Sequence, residues 1–159
     1  MNIYICASFC YEDKKKTSER KYLIEKTVDR IQEQLGTSHR YYLPHKLTIP
    51  NAWDISMEEW GRAVFETDMM ELDLADLIIF LSFGKENNAG SVWEVGYIVG
   101  KGANTQSDDV QKVVMVKMTD GYESLMITNS LDRIISVDEI ETYDWDNLPH
   151  YKTQLNKLS

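Results

Sequence analysis

The chain has few of the residues that mark disulfide-stabilised or metal-binding domains. Among its 159 residues it has two cysteines, Cys6 and Cys10, which form no disulfide framework and lack the well-spaced partners of a metal site. The histidines, His39, His45 and His150, are scattered along the chain, and none is assigned as a metal ligand or general base. We therefore expect no bound metal, no organic cofactor, and a reduced cytoplasmic protein.

Long apolar runs and an excess of positive charge are also missing. No apolar stretch is long enough to span a bilayer, and Met1 to Cys6 lead directly into a predicted strand, without a signal-peptide pattern. The formal net charge of −9 argues against a nucleic-acid polymer or an anionic membrane as a partner. A small anionic ligand held by backbone amides stays compatible with this acidity.

Apolar and turn-forming residues alternate in a pattern typical of one α/β domain spanning residues 1–159. The predicted strands are Ile3–Ala7, Arg40–Leu43, Leu77–Leu81, Lys112–Met118 and Arg133–Val137, and the predicted helices cover about 17–35, 56–72, 91–101 and 149–158. This alternation implies a doubly wound parallel sheet with helices on both faces and right-handed crossovers. Five strands fit the flavodoxin-like order 2-1-3-4-5.

Helical periodicity also predicts which side chains are buried. On the first helix they are Tyr22, Leu23, Val28, Ile31 and Leu35. On the second helix they are Trp60, Val64, Phe65, Met69 and Leu72.

The stretch from Asn87 to Gly102 has the features of a ligand-binding turn. It follows the apolar run 75–81 and passes through small residues into a helix, with Ser91 and Glu94 at capping-box spacing. This spacing predicts Glu94 in the first turn, where the helix dipole favours an ionised carboxylate. Open α/β sheets bind ligands at this edge. However, a Glu three residues after a Ser is most often only a cap, so spacing alone leaves a catalytic role open.

The expected strand order sets the ends of the first and third strands side by side. Tyr4 and the Ser8 loop then lie against Asn88 and Glu94, and Asp68 ends a helix near the same edge. Glu94 is the candidate nucleophile, and a phenol at Tyr4 can orient it. Paired carboxylates suit glycosidic-bond cleavage, in which one attacks the anomeric carbon and another acid protonates the leaving group. From spacing alone, this chemistry is one option among several.

Four motifs stand in a characteristic order and spacing: IYICAS at residues 3–8, FETD at 65–68 followed by AD at 75–76, GSVWEVG at 90–96, and LMITNSL at 125–131. Together they resemble the nucleoside 2-deoxyribosyltransferase family, from residue 3 to about residue 135. The resemblance implies an enzyme that transfers 2-deoxyribose between nucleobases by double displacement, through a covalent deoxyribosyl-glutamate intermediate. The implied substrates are 2′-deoxyribonucleosides and free nucleobases.

The resemblance also implies roles for single residues. Glu94 matches the nucleophile that attacks C1′, Tyr4 the tyrosine that orients it, Asp68 the aspartate that handles the proton of the base, and Asn88 a sugar-binding aspartate. The expected substrate-binding residues are Ser8, Phe9, Asn88, Gly90, Ser91, Ser124 and Met126. Phe9 and Trp93 are both able to stack on a base, although core packing fits Trp93 equally well.

Ser124 and Met126 match a pair that the family presents to a neighbouring subunit's site. The resemblance therefore implies a homo-oligomer, either a dimer or a hexamer built from dimers.

Three departures from the family pattern leave the substrate open. Ser124 stands where the transferases usually have Asn, Asn88 stands where they often have Asp, and a base-reading glutamine is missing near residues 45–48. Related enzymes that hydrolyse nucleoside 5′-monophosphates tend to place serines around the 5′ end of the sugar, similar to Ser8 and Ser124. A 2′-deoxynucleoside 5′-monophosphate N-glycosidase is therefore the second reading. A non-catalytic nucleotide-binding protein on the same fold is the third.

Overall fold

The computed structural model of the chain describes residues 1–9, 13–103 and 111–148. The strands are β1 (Asn2–Ala7), β2 (Arg40–Tyr42), β3 (Leu77–Ser82), β4 (Lys112–Lys117) and β5 (Arg133–Ser136). The helices are α1 (Lys14–Leu35), α2 (Met57–Leu74), α3 (Ala89–Ala103) and the short α4 (Leu125–Thr128). Over the described residues, the strands form one parallel sheet in the order β2-β1-β3-β4-β5. The predicted flavodoxin-like α/β fold is confirmed.

Helix boundaries follow local capping chemistry. The Asp13 carboxylate accepts the backbone N–H groups of Lys15 and Lys16, so α1 begins earlier than predicted. Ser56 and Glu59 form the expected reciprocal capping box at the start of α2. Gly102 does not end α3, which continues through Ala103. The final helix predicted at 149–158 lies outside the described residues.

The sheet separates two apolar layers, because successive strand side chains point to opposite faces. Ile3 and Ile5 of β1 pack with the buried side of α1 on one face. Tyr4 and Cys6 point to the other face, where Leu72 of α2 and residues of α3 pack. This alternation places one phenol and one thiol of β1 beneath α2 and α3. Among the described helices, none combines the length and apolar character needed to cross a bilayer.

The buried face of α1 is as predicted at Val28 and Ile31 but differs in the first half of the helix. Tyr22 and Leu23 are exposed, and the helix buries Arg20 instead. Arg20 is buried because its guanidinium pairs with Glu86 and lies 4.3 Å above the ring of Phe83. A prediction from hydrophobicity alone places such an arginine on the surface. In this half of the helix the predicted buried face is therefore rotated about the helix axis relative to the observed one.

The predicted buried face of α2 is confirmed only toward the C-terminal end of the helix. Leu72 is fully buried and Met69 packs against the core, whereas Trp60 and Phe65 are exposed. In a parallel sheet the helices run antiparallel to the strands, so the first turns of α2 stand at the carboxyl edge of the sheet rather than over it. Apolar side chains on those turns are available to line a cleft.

Candidate active site

The site is built on a contact between β1 and the first turns of α3, called here the β1–α3 seam. The seam consists of Tyr4, Cys6 and Ser8 at alternate positions along β1 and its end, and of Asn88, Ser91 and Glu94 at every third position along α3 and its start. The Cys6 thiol donates to the Ser91 carbonyl oxygen at 3.3 Å. The hydroxyls of Ser8 and Ser91 hydrogen-bond each other, and the Asn88 N–H donates to Ser8 Oγ at 2.9 Å. Side chains two residues apart on the strand therefore meet side chains three residues apart on the helix along one line of contact.

Asn88, rather than Ser91, caps α3. Its side-chain oxygen accepts the N–H of Ser91 at 2.9 Å, and its backbone carbonyl accepts the N–H of Val92. The prediction that Ser91 and Glu94 form a capping box is wrong, and Glu94 lies beyond the first turn of the helix. Its carboxylate is thus free from capping and is turned toward β1.

The Glu94 carboxylate is half-buried, and its protonation responds to its surroundings. Burial raises the pKa of Glu94 to about 7, and the negative charge of Asp68 adds to this rise. The Cys6 thiol and the Tyr4 phenol act in the opposite direction, since both stabilise the ionised carboxylate. A carboxyl group with a pKa near neutrality is suited to nucleophilic or acid–base chemistry in a cleft.

Tyr4 stays a neutral donor beside this carboxylate. Burial and the charges of Glu94 and Asp68 raise the pKa of Tyr4 far above its usual range. Its buried hydroxyl makes no hydrogen bond of normal geometry with a described residue, although it lies close enough to stabilise ionised Glu94. The phenol is therefore available to an oxygen in the cleft.

Asp68 approaches the same cleft from α2. Tyr42, on β2, donates its hydroxyl to Asp68 Oδ1 at 2.6 Å. Burial raises the pKa of Asp68, while the hydrogen bond from Tyr42 opposes that rise. Two carboxyl groups on different helices thus meet at the carboxyl edge of the sheet, where the strand order reverses between β1 and β3.

A pocket of about 220 Å³ joins the two carboxyl groups. It is lined by Phe65, Asp68, Met69, Leu72, Gly90, Trp93 and Glu94. Phe65 and Trp93 form an aromatic wall, with ring centroids 5.9 Å apart, and Tyr97 stacks on the far side of Trp93. Trp93 is 50% exposed, so it is not a core residue. The pocket therefore has an apolar aromatic side and an acidic side.

A wider depression of about 820 Å³ lies at the opposite edge of the sheet, between Asp73, Gln111 and Asp146. It holds neither Glu94 nor Asp68, so its size alone does not make it the better candidate. Among the described residues, no group of three or more histidine, cysteine, aspartate or glutamate side chains is arranged to hold a metal ion.

Comparison with known proteins identifies the family of the chain. The family model described as nucleoside 2-deoxyribosyltransferase matches residues 3–126, well over half of the chain. The chain belongs to the nucleoside 2-deoxyribosyltransferase family. No curated protein sequence matches it significantly.

Two solved structures show how far the fold is shared with other proteins. One is a 2-deoxyribosyltransferase from the psychrotolerant bacterium Bacillus psychrosaccharolyticus, with a TM-score of 0.69 and 25% sequence identity over 92% of this chain and 95% of that one. The other is a conserved protein from Enterococcus faecalis V583, with a TM-score of 0.59 and 17% identity over 89% of this chain and 98% of that one. The second likeness concerns the fold alone.

The remaining residues expected from the family resemblance lie at several different positions in the structure. Ser8 and Ser91 are buried in the seam, where their hydroxyls bond each other, and Gly90 lines the pocket. Phe9 packs its ring against His45, with centroids 4.7 Å apart. Ser124 immediately precedes α4, and Met126 on that helix is 83% exposed.

Three site residues escaped the sequence analysis as functional candidates: Cys6, Tyr42 and Phe65. Cys6 was open to detection, because it lies two residues after Tyr4 on one strand and so shares its face. Tyr42 pairs with Tyr4 across the β1–β2 register, which depends on long-range pairing. The helical spacing of Phe65 is that of a core residue, but Phe65 lines the pocket.

The raised pKa of Glu94 predicts a pH-dependent cost in stability. In the unfolded chain this carboxyl ionises near pH 4.5 and in the fold near pH 7. Between these values the folded protein keeps a proton that the unfolded chain has lost, so stability falls as pH rises, by roughly 1–3 kcal/mol in total. Glu94→Gln should therefore unfold at higher urea concentration than wild type at pH 8, and at a similar concentration at pH 4.5.

The matched control is Glu66→Gln, which removes one carboxylate from an exposed position on α2. A stability gain for Glu94→Gln of the same size at both pH values would show that Glu94 does not carry the cost.

Proposed function

We propose that this protein transfers a 2-deoxyribosyl group between nucleobases and that Glu94 carries the sugar between the two half-reactions. The observation that carries the proposal is the meeting of Glu94 and Asp68 in one small pocket with an aromatic wall. Family membership supports the reaction class, and the pKa of Glu94 near 7 supports a carboxylate that is ionised in part at neutral pH.

In the first half-reaction, an oxygen of ionised Glu94 forms a bond to C1′ of a 2′-deoxyribonucleoside. The bond between C1′ and the base nitrogen breaks, and its electron pair leaves with the base. Tyr4 supports this step by donating toward the carboxylate and restricting its orientation. Cys6 stays a neutral thiol beside Glu94, since burial and the charge of Glu94 raise the pKa of its thiol.

The departing base needs a proton, and we propose that Asp68 supplies it. Burial and the neighbouring charge of Glu71 raise the pKa of Asp68, so this carboxyl group takes up a proton more readily than an exposed aspartate does. The second half-reaction reverses these steps. A nitrogen of the incoming base attacks C1′, the bond to Glu94 breaks with its electrons returning to the carboxylate, and Asp68 takes up the proton.

Base exchange tests this proposal directly. The protein is incubated with one 2′-deoxyribonucleoside and a different free base, and the new nucleoside is measured chromatographically. We expect exchange by wild type, a loss of at least about a thousandfold in Glu94→Gln because the nucleophile is missing, and a loss of about a hundredfold in Asp68→Asn. Glu66→Gln should keep the wild-type rate.

Full exchange by Glu94→Gln would overturn the proposed role of Glu94. Release of free base without any exchanged product would instead favour hydrolysis. A 5′-monophosphate substrate, run in parallel, tests the alternative N-glycosidase. That alternative draws on Ser8 and Ser124, but the Ser8 hydroxyl is enclosed between Ser91 and Asn88.

The aromatic wall of Phe65 and Trp93 supports the proposal that the nucleobase binds against these rings. Both rings border the same pocket as the two carboxyl groups, and Phe65 is 54% exposed. A base stacked on Trp93 would have its glycosidic bond near Glu94, one residue further along α3. Stacking of a base on an aromatic side chain contributes about 1–3 kcal/mol.

Loss of the Trp93 ring should therefore weaken base and nucleoside binding. Trp93→Ala is expected to raise KM for the acceptor base roughly tenfold, with a smaller effect in Trp93→Phe because a ring is retained. Steady-state exchange kinetics measure this difference. Trp53→Ala removes an equally large exposed ring outside the pocket and should leave KM unchanged. Equal KM values in Trp93→Ala and wild type would place the base elsewhere.

We also propose that the protein works as a homo-oligomer in which Ser124 and Met126 reach a neighbouring site. The support is the family resemblance together with the exposure of Leu125 and Met126, two apolar side chains on α4. Isolated apolar side chains on a surface need no explanation, but adjacent ones on one short helix favour a contact with another chain.

A further inference from the structure

Tyr42 is a tyrosine of the edge strand β2 that connects the two sides of the site. Its hydroxyl donates to Asp68 Oδ1 at 2.6 Å. Its ring lies against that of Tyr4, with centroids 5.3 Å apart. Tyr42 thus contacts both the tyrosine beside Glu94 and the second carboxyl group of the pocket, although it does not itself line that pocket.

A second polar contact between α2 and β2 runs beside this one. Arg40 and Tyr42 lie two residues apart on the strand, and Glu71 and Asp68 lie three residues apart on the helix. Arg40 makes two hydrogen bonds of 2.6 Å to the Glu71 carboxylate, parallel to the contact between Tyr42 and Asp68. Removing the Tyr42 hydroxyl leaves the Arg40–Glu71 pair in place as a contact between α2 and β2.

We propose that Tyr42 is a positioning residue for the proton transfer, since it engages Oδ1 of Asp68 and leaves Oδ2 to exchange a proton with the base. This inference rests on the proposed function. A hydrogen bond to a single carboxyl oxygen limits rotation of the group, and proton transfer needs the reacting oxygen within hydrogen-bonding distance of the base. The geometry assigns to Tyr42 a role in the orientation of Asp68, without contact with the substrate.

The same hydrogen bond sets how readily Asp68 holds a proton. The groups that face Asp68 are Tyr4 and Cys6 from β1, Tyr42 from β2, Glu71 on its own helix and Glu94 from α3. Within this set, Tyr42 lowers the pKa of Asp68, whereas burial and Glu71 raise it. Removing the hydroxyl should therefore shift the pKa of Asp68 upward.

Tyr42→Phe removes only the hydroxyl, and β2 offers a matched control. Tyr41, the preceding residue, donates its hydroxyl to the Gly36 carbonyl oxygen at 2.9 Å on the other face of the sheet. Tyr41→Phe therefore also removes one tyrosine hydroxyl and one hydrogen bond from β2. It leaves every contact of β2 with Asp68 unchanged. Both variants are compared with wild type in base exchange from pH 5 to pH 9 and in thermal unfolding.

We expect kcat to fall about tenfold in Tyr42→Phe, with KM for the nucleoside changed by less than about twofold. One limb of its pH–rate profile should move to higher pH, while Tyr41→Phe keeps the wild-type kcat and profile. An unchanged kcat and profile in Tyr42→Phe would overturn the inference. Equal losses in the two variants, in proportion to their melting temperatures, would also overturn it, because they would indicate a structural role alone.

A titration without substrate separates this inference from the proposed function. In protein labelled with ¹³C at the aspartate carboxyl groups, NMR should show a higher Asp68 pKa in Tyr42→Phe than in wild type, and no change in Tyr41→Phe. Absence of base exchange in wild type with this pKa shift present would reject the proposed function but keep the contact between Tyr42 and Asp68. Active wild type without the shift would reject the inference only.

Discussion

The site depends on the contact between one face of β1 and the start of α3. Residues two apart on the strand meet residues three apart on the helix, so that Cys6 and Ser8 fix the backbone and hydroxyl of Ser91 while Tyr4 stands beside Glu94. Asn88 begins the helix at this point by capping it. The helix backbone is therefore fixed against β1 at Ser91, and this brings the Glu94 side chain, three residues further on, beside Tyr4 and Cys6.

When two carboxyl groups are held close together, the negative charge of one makes the other harder to ionise. Glu94 and Asp68 are both withdrawn from water, and the charge of Asp68 raises the pKa of Glu94 further. The arrangement lowers the stability of the folded protein at alkaline pH. Both carboxyl groups border the pocket in which the proposed displacement at an anomeric carbon would take place.

Local sequence patterns were sufficient for the sheet but not for the site. The apolar runs of β1 and β3 define strands because both are buried on two faces, and their order at the switch point brings Tyr4 toward Glu94. The start of α3 was misplaced because Asn88 and Ser91 are both good caps, and tertiary contact with Ser8 decides between them. The contact of Tyr42 with Asp68 depends on strand pairing and helix docking, which no local pattern contains.

The most direct test of this account is the mass of the intact protein after rapid acid quenching of a mixture with a 2′-deoxyribonucleoside. We predict a fraction of protein heavier by one deoxyribosyl group, with peptide mapping that locates the group on Glu94, and no such species in Glu94→Gln. An adduct on another residue, or rapid base exchange with unmodified protein at every quench time, would contradict the claim that Glu94 carries the sugar.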